Sequence, residues 1–242
     1  MPPIMILQSA ADSRHDWIDR CMKSVARWAD NLGYQYHTLG DELFDWVAPE
    51  LRLKLVGRTP IVADLARLRW MESVLVERGG LVVWIDADTL IMDPDWRVPV
   101  DQHTFFGEEC WVQPASEGVW RHYLSPHNAL MGFTQASPVL GFLAHLSESI
   151  IGRADPNHIA PQMVGPKLLK ALHNLAQFSL VPEAGAISPG LLEEWVGEAG
   201  EATACYEQAA RPPLAMANLC SSLIDTDTDR AQVDRLLSRY GA

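Results

Sequence analysis

Apolar residues recur along this chain in two periods, and the switches between them divide it into strands and helices. Ile4-Met5-Ile6-Leu7 is a short unbroken apolar run that predicts a buried strand, followed by the polar stretch Gln8 to Ser13. Trp17, Ile18, Cys21, Met22, Val25, Trp28, Ala29 and Leu32 then recur at helical spacing up to the stop at Gly33, and Tyr34 to Leu39 alternates as a second strand. Leu51 to Val56 fits either a strand or a helix. From Pro60 to Arg78 the apolar positions Ile61, Leu65, Leu68, Met71 and Leu75 predict a helix that Gly79-Gly80 ends. Leu81 to Ile91 follows as a run rich in Val and Ile, predicting a buried strand.

The second half is patterned less sharply. His103 to Gly107 and Cys110 to Gln113 predict two short strands, with Met92 to Trp96 turning the chain before them and Asp93 as a turn former. Pro114 to Pro126, which contains Glu117, Trp120, Arg121, His122 and Tyr123, predicts a loop on the acceptor side of any site the sheet carries. His127 to Phe133 predicts a return to the sheet, Pro138 to Ile151 a helix, Lys167 to Leu175 another, and Phe178 to Val181 a strand. Glu183 to Arg211 is acidic, with a weak helix at Trp195. Leu214 to Leu223 predicts an apolar strand running into polar groups, and Asp225 to Tyr240 a terminal helix packed through Val233, Leu236 and Leu237. The order is that of an α/β protein, and 242 residues with 48% hydrophobic content fit one domain spanning 1–242.

Chemistry enters at Asp86-Ala87-Asp88. Residues i and i+2 of an extended chain point to the same side, so these two carboxylates converge if strand geometry persists through Asp88. Carboxylate oxygens suit Mg²⁺ or Mn²⁺, and a Mg²⁺ site commonly uses one or two of them while substrate phosphates and water fill the rest. On the preceding helix Asp64 and Arg67 are three apart and share a face, where Arg67 can meet a phosphate or carboxylate in forked geometry. The same spacing also serves an ordinary intrahelical ion pair. Arg69 lies off that face and reads as a surface residue, and so does Lys54.

Asp-x-x-Arg, a helix, Gly-Gly, a hydrophobic strand and Asp-x-Asp, together spanning about Ile61 to Pro94, resemble the nucleotide-sugar core of retaining GT-A glycosyltransferases. The likeness is to glycosyltransferase family 32 and the capsule, mannosyltransferase and clostridial-toxin-like sugar transferases, whose signature is Gly-Gly-x-Tyr-x-Asp-x-Asp. His127-Asn128-Ala129-Leu130-Met131-Gly132-Phe133 is similar to that group's Asn-x-x-Met strand, and Val164 to Leu169 to its Gly-Pro-x-x-Leu segment. The resemblance implies a GT-A mixed sheet flanked by helices, a nucleotide-diphosphate-sugar donor such as a UDP- or GDP-sugar, and retention at the anomeric carbon. It implies that Asp88 holds the metal directly and Asp86 through water or the ribose, that Asp64 bonds sugar hydroxyls and that Arg67 lies against the donor. Gln8 and Ser9 would lie near the base, and Trp84, standing where the family has Tyr, would cover base or sugar. Asn128 and Gln162 would face the transferred sugar, and Asn218 or Ser222 would supply a third metal contact. A saccharide, a lipid-linked sugar or a protein remains open as the acceptor.

Other classes fit less well. A haloacid-type phosphohydrolase wants Thr or Val two residues after its second Asp, where this chain has Leu90, and a nucleotidyltransferase usually opens with a Gly-rich loop that Gln8 to Asp12 lacks. A non-catalytic sugar-binding module of the same fold stays open. The net charge of −12 argues against an extended nucleic-acid footprint and offers little attraction to anionic lipid. No apolar run is long enough to span a bilayer, the N-terminus lacks a basic leader, and Cys21, Cys110, Cys205 and Cys220 show no pairing motif, so a cytoplasmic protein with reduced thiols is expected.

Overall fold

The computed structural model describes residues 2–115 and 118–242, so Glu117 lies outside the described residues. β1 (Ile4–Ser9), α1 (Asp16–Asn31) and β2 (Gln35–Leu39) form the first crossover unit. A 3-10 helix (Asp41–Trp46) and α2 (Pro49–Lys54) lead to α3 (Thr59–Arg78), β3 (Leu81–Ile85) and β4 (Thr89–Ile91). Then come the hairpin strands β5 (Thr104–Pro114) and β6 (Trp120–Thr134), α4 (Val139–Arg153), α5 (Pro166–Ala176), β7 (Leu180–Val181) and β8 (Ala184–Ala186). α6 (Pro189–Val196), α7 (Glu201–Gln208), β9 (Met216–Asn218) and α8 (Asp227–Arg239) complete the chain.

The main sheet has six strands in the order β2-β1-β3-β6-β5-β7, with β2, β1 and β3 parallel and β6 antiparallel to both β3 and β5. It is an α/β sheet, as the pattern predicts, and a mixed one flanked by helices, as the resemblance implies. Alternate residues of each strand serve opposite faces. Met5, Leu7, Val82 and Trp84 pack under α3 and α4, whereas Ile6, Leu81, Val83 and Ile85 pack toward α1 through Val25 and Trp28. α3 is buried nearly all round, so its polar residues Asp64 and Arg67 stand out inside the molecule. Gly79 and Gly80 both take positive φ, at 68° and 79°, and a Cβ on Gly80 would strike the Pro3 carbonyl. The helix can therefore end and enter β3 within two residues.

Three sequence expectations change. The strand predicted over Leu81 to Ile91 stops at Ile85, because the Thr89 N–H returns to the Asp86 carbonyl at 3.1 Å and closes a turn. β4 then leaves the main sheet and pairs with β9 in a second, three-stranded sheet ordered β4-β9-β8. The two short strands and acceptor-side loop predicted between His103 and Pro126 are instead one long hairpin, in register from Cys110 opposite Leu124 to Pro114 opposite Trp120. The first residues of its second strand, Trp120-Arg121-His122-Tyr123, are aromatic and basic, so that half carries no aliphatic alternation. The acidic stretch after Glu183 holds β8, α6 and α7, while Leu51 to Lys54 is the end of α2 and Leu55-Val56 the turn after it. Among the described residues no helix is long and apolar enough to cross a membrane.

Gly132 faces the fully buried ring of Phe105, which leaves no room for a Cβ. Gly132→Ala is expected to lower unfolding free energy by about 1–3 kcal/mol, read from the urea midpoint at unchanged m-value. On the hairpin, burial pushes the half-buried Glu109 carboxyl up to about 7 from its ordinary 4.5, against the pull of Lys170. The folded state then holds a proton that the unfolded state releases. That contribution to stability is complete below pH 4.5 and is lost as pH rises through 7. Chemical denaturation from pH 4.5 to 8 is expected to show Glu109→Gln gaining on the wild type as pH rises.

Candidate functional site

β1 runs to β2 on one side and lies against β3 on the other, so the sheet order reverses between β1 and β3. Such a switch point leaves a crevice at the carboxyl ends of the strands. Here it is a cleft of about 530 Å³, lined by Ser9 from the end of β1, by Arg67 of α3, and by Trp84, Asp86 and Asp88 at and beyond the end of β3.

The floor is built around Arg67. Its Nη2 lies 3.1 Å from Asp64 Oδ1 and its Nη1 2.8 Å from Asp86 Oδ1, while Nη1 also reaches the Asn128 carbonyl at 3.3 Å. The guanidinium sits 5.0 Å from the centroid of the Trp84 ring, and the indole N–H donates to Asp86 Oδ1 at 2.6 Å. Burial disfavours the Arg67 charge, but the carboxylates of Asp86, Asp64 and Asp88 outweigh it and raise the pKa above the ordinary arginine range. Asp64 shows the opposite balance. Burial raises its carboxyl despite Arg67 and despite the 2.8 Å hydrogen bond from Asn128 Nδ2, with Asp86 adding repulsion. Gly165, just before α5, packs directly against the Asp64 carboxylate, leaving no space for a side chain.

The backbone of Asp86 is fixed as firmly as its side chain. Its N–H donates to the Ala129 carbonyl at 2.9 Å, and its carbonyl accepts from Gln8 Nε2 at 3.1 Å. Gln8 in turn accepts from the Tyr36 hydroxyl at 2.7 Å. The neutral ring of His127, held so by burial, bridges the Ala184 carbonyl through Nε2 at 2.9 Å and accepts the Ala129 N–H at Nδ1, fixing that part of β6. Asp88 is held from the other sheet. Asn218 Nδ2 donates to its Oδ1 at 2.6 Å and the Ser221 N–H to its Oδ2 at 2.7 Å. Cys220, at φ 52°, turns the chain so that the Ser221 N–H can do this, and its own N–H fixes Asn218 Oδ1 at 2.9 Å. Burial and the neighbouring Asp86 charge raise the Asp88 carboxyl, with the Ser221 and Asn218 bonds working against them.

Of the residues named from sequence, Asp86, Asp88, Arg67, Trp84 and Ser9 face the cleft. Asp64 and Asn128 bond to one another beneath it, lining a small adjoining void with Gly165. Gln8 is fully buried and acts on the Asp86 backbone. Asn218 has its amide divided between Asp88 and Cys220, so it positions Asp88 and is not among the cleft-lining residues. Gln162 sits exposed in the turn before α5 at φ 59°, and neither it nor Ser222 lines the cleft. Lys54 caps the end of α4 through the Gly152 carbonyl, and Arg69 ties α3 to α4 through Glu148. Sequence reading missed Arg14, His15, Asp41, Phe44, Asp225 and Arg230, which line the cleft from three separate segments. Nothing in their spacing marks them.

Among the described residues no three His, Cys, Asp or Glu side chains converge as a closed cation cage. Two carboxylates can still serve an open site. Asp88 Oδ1 accepts from Asn218 and Oδ2 from Ser221, and Asp86 Oδ2 has no hydrogen-bond partner among the described residues, so both side chains keep lone pairs free. A magnesium-like ion that retains water and takes substrate oxygens fits that donor set.

No protein-family model matches the chain, and no curated protein matches it by sequence. Among solved structures, the crystal structure of a glycosyltransferase involved in the glycosylation of the major capsid of PBCV-1 aligns over 98% of this chain and 100% of that one. The identity is 12% and the TM-score 0.49.

Removing Arg67 leaves Asp64 buried without its counter-charge. Arg67→Ala is expected to cost about 3–5 kcal/mol of stability in urea unfolding. Arg67→Lys keeps the charge but not the fork, and is expected to recover only part of the loss.

Proposed function

We propose that the chain is a metal-dependent GT-A-type glycosyltransferase that moves a hexosyl group from a nucleotide-diphosphate sugar to an acceptor, with retention at the anomeric carbon. One observation carries the reading. At the switch point of the sheet, two carboxylates braced from opposite sides, Asp86 by Arg67 and Trp84 and Asp88 by Asn218 and Ser221, face one cleft. The sequence resemblance over Ile61 to Pro94 supports the choice of reaction and of a UDP- or GDP-sugar as donor.

In this reading Asp88 and Asp86 hold Mn²⁺ or Mg²⁺. The bound ion supplies Lewis-acid neutralisation of the leaving nucleoside diphosphate. The protein's own residues do the positioning. Arg67 fixes the Asp86 carboxylate and removes part of its repulsion with Asp64, so the pair does not have to reorganise as charge develops. The apolar wall of Leu43, Phe44 and Ala63, facing Trp84, accommodates a nucleoside and excludes water from one side of the cleft. Asn128 and Asp64, beneath the floor, lie on the side where the sugar would be held.

The test is equilibrium binding and turnover of UDP-, GDP-, CMP- and dTDP-sugars, with Mn²⁺ or with chelator, on wild type and Asp88→Ala. Metal-dependent binding and turnover of one donor, lost in the variant, is the expected result. Asn218→Ala, which removes only a brace, is expected to weaken metal affinity by about 10- to 100-fold. Binding without turnover toward any acceptor or water would mark a non-catalytic module. No binding of any nucleotide sugar under any metal condition would sink the proposal.

A further inference from the structure

The cleft floor is rich in carboxylate. Asp86 and Asp88 line it beside one guanidinium, that of Arg67, which Asp64 also engages from beneath. A diphosphate brings further negative charge that has to be met by other groups.

Two further guanidinium groups line the cleft, both outside the floor. Arg14 comes from the loop between β1 and α1, and Arg230 from the first turns of α8. They line the cleft together with Ser221, Ile224 and the acidic Asp225. Neither is tied down as Arg67 is. Arg14 Nε pairs with Asp19 at 2.7 Å and its Nη1 donates to the Ala11 carbonyl, in a pair whose side chains are 30% and 40% exposed. Arg230 Nη1 pairs with Asp227 at 2.6 Å, and that aspartate side chain is 99% exposed. Arg230 Nη2 donates to the Asp225 carbonyl, while its Nε is buried without a partner among the described residues. Exposed pairs of this kind contribute little and are screened by salt, so both head groups can turn to a stronger acceptor at small cost.

We infer that Arg14 and Arg230, by exchanging their exposed aspartate partners for phosphate oxygens, form a wall of the cleft that binds the diphosphate of the ligand. The inference rests on the donor-site reading above. It assigns the phosphates to the Asp88-Ser221-α8 side of the cleft and leaves the side formed by Leu43, Phe44 and Ala63 for the nucleoside. A forked guanidinium suits phosphate oxygens, and two of them from separate elements grip a diphosphate across its length.

The test uses the full chain with inorganic pyrophosphate and Mg²⁺ in a calorimeter, beside Mn²⁺ alone and the unphosphorylated nucleosides uridine and guanosine. The variants are Arg14→Gln and Arg230→Gln. Pyrophosphate affinity is expected to fall about 10- to 100-fold in each, with a shallower salt dependence, while Mn²⁺ affinity and nucleoside binding stay at wild-type values. Pyrophosphate bound equally well by both variants, or not bound by the wild type at all, would overturn the wall. So would a parallel loss of Mn²⁺ affinity, which would mean that the substitutions disturb the floor. If pyrophosphate binding depends on both arginines but no nucleotide sugar binds the wild type, the phosphate site stands and the glycosyltransferase reading falls.

Discussion

The guanidinium of Arg67 is the interaction on which the site depends. It lies on a helix packed between the sheet and α4, where an unpaired charge would be untenable. Asp64 from the same helix and Asp86 from the end of β3 neutralise it, and the Trp84 ring and Asn128 carbonyl close around it. Asp64 and Asp86 are themselves fixed from β6, through Asn128 and the Ala129 carbonyl. The charge therefore locks α3, β3 and β6 together at the point where the sheet order reverses. A buried ion pair of this kind is weak evidence of stability, since apolar replacements can do as well. What it supplies is a carboxylate held rigidly at the edge of a cleft.

The second carboxylate is held by other means. Asp88 belongs to the turn that carries the chain from the main sheet to the small one, and its partners Asn218 and Ser221 come from the strand paired with β4 and the loop after it. The two aspartates thus sit two residues apart in sequence while being braced by two separate sheets. Their relation does not come from strand alternation, because β3 has already ended at Ile85. It comes from a turn closed by the Thr89 N–H and from the packing of β4 on β9.

That difference explains what could be read in the sequence. Periodicity and glycine signals were enough for α1, α3 and the parallel strands β1 and β3, because their apolar faces are long or their runs unbroken. The Asp64, Arg67, Asp86 and Asp88 group was visible because it is local, falling within twenty-five residues that also carry the helix and the Gly-Gly stop. The hairpin is hidden in the sequence because Trp120 to Tyr123 is aromatic and basic with no period-two aliphatic pattern, and Pro126 stands in the midst of the strand. Arg14 and Arg230 were invisible for a deeper reason. They are more than two hundred residues apart, and only the packing of α1 against α8 brings them to one wall. Asn218, read from the sequence as a third metal contact, has its amide on the Asp88 carboxylate, an orientation set by the Cys220 N–H at its Oδ1.

The overall charge of −12 does not bear on an anionic ligand in the way it first suggests. At physiological ionic strength exposed charges more than about 8 Å apart are largely screened, so the acidic surface elsewhere contributes little at the cleft. Inside the cleft screening is weaker, and the local set decides. That set is a floor with two carboxylates beside a wall whose two guanidinium groups, paired with Asp19 and Asp227, can exchange those partners for phosphate oxygens. Such a division suits a ligand that is itself divided, with a cation on one side and phosphate oxygens on the other. A free anion would face Asp86 and Asp88. The ion relieves that repulsion for the diphosphate, which is the physical reason to treat the two as one ligand.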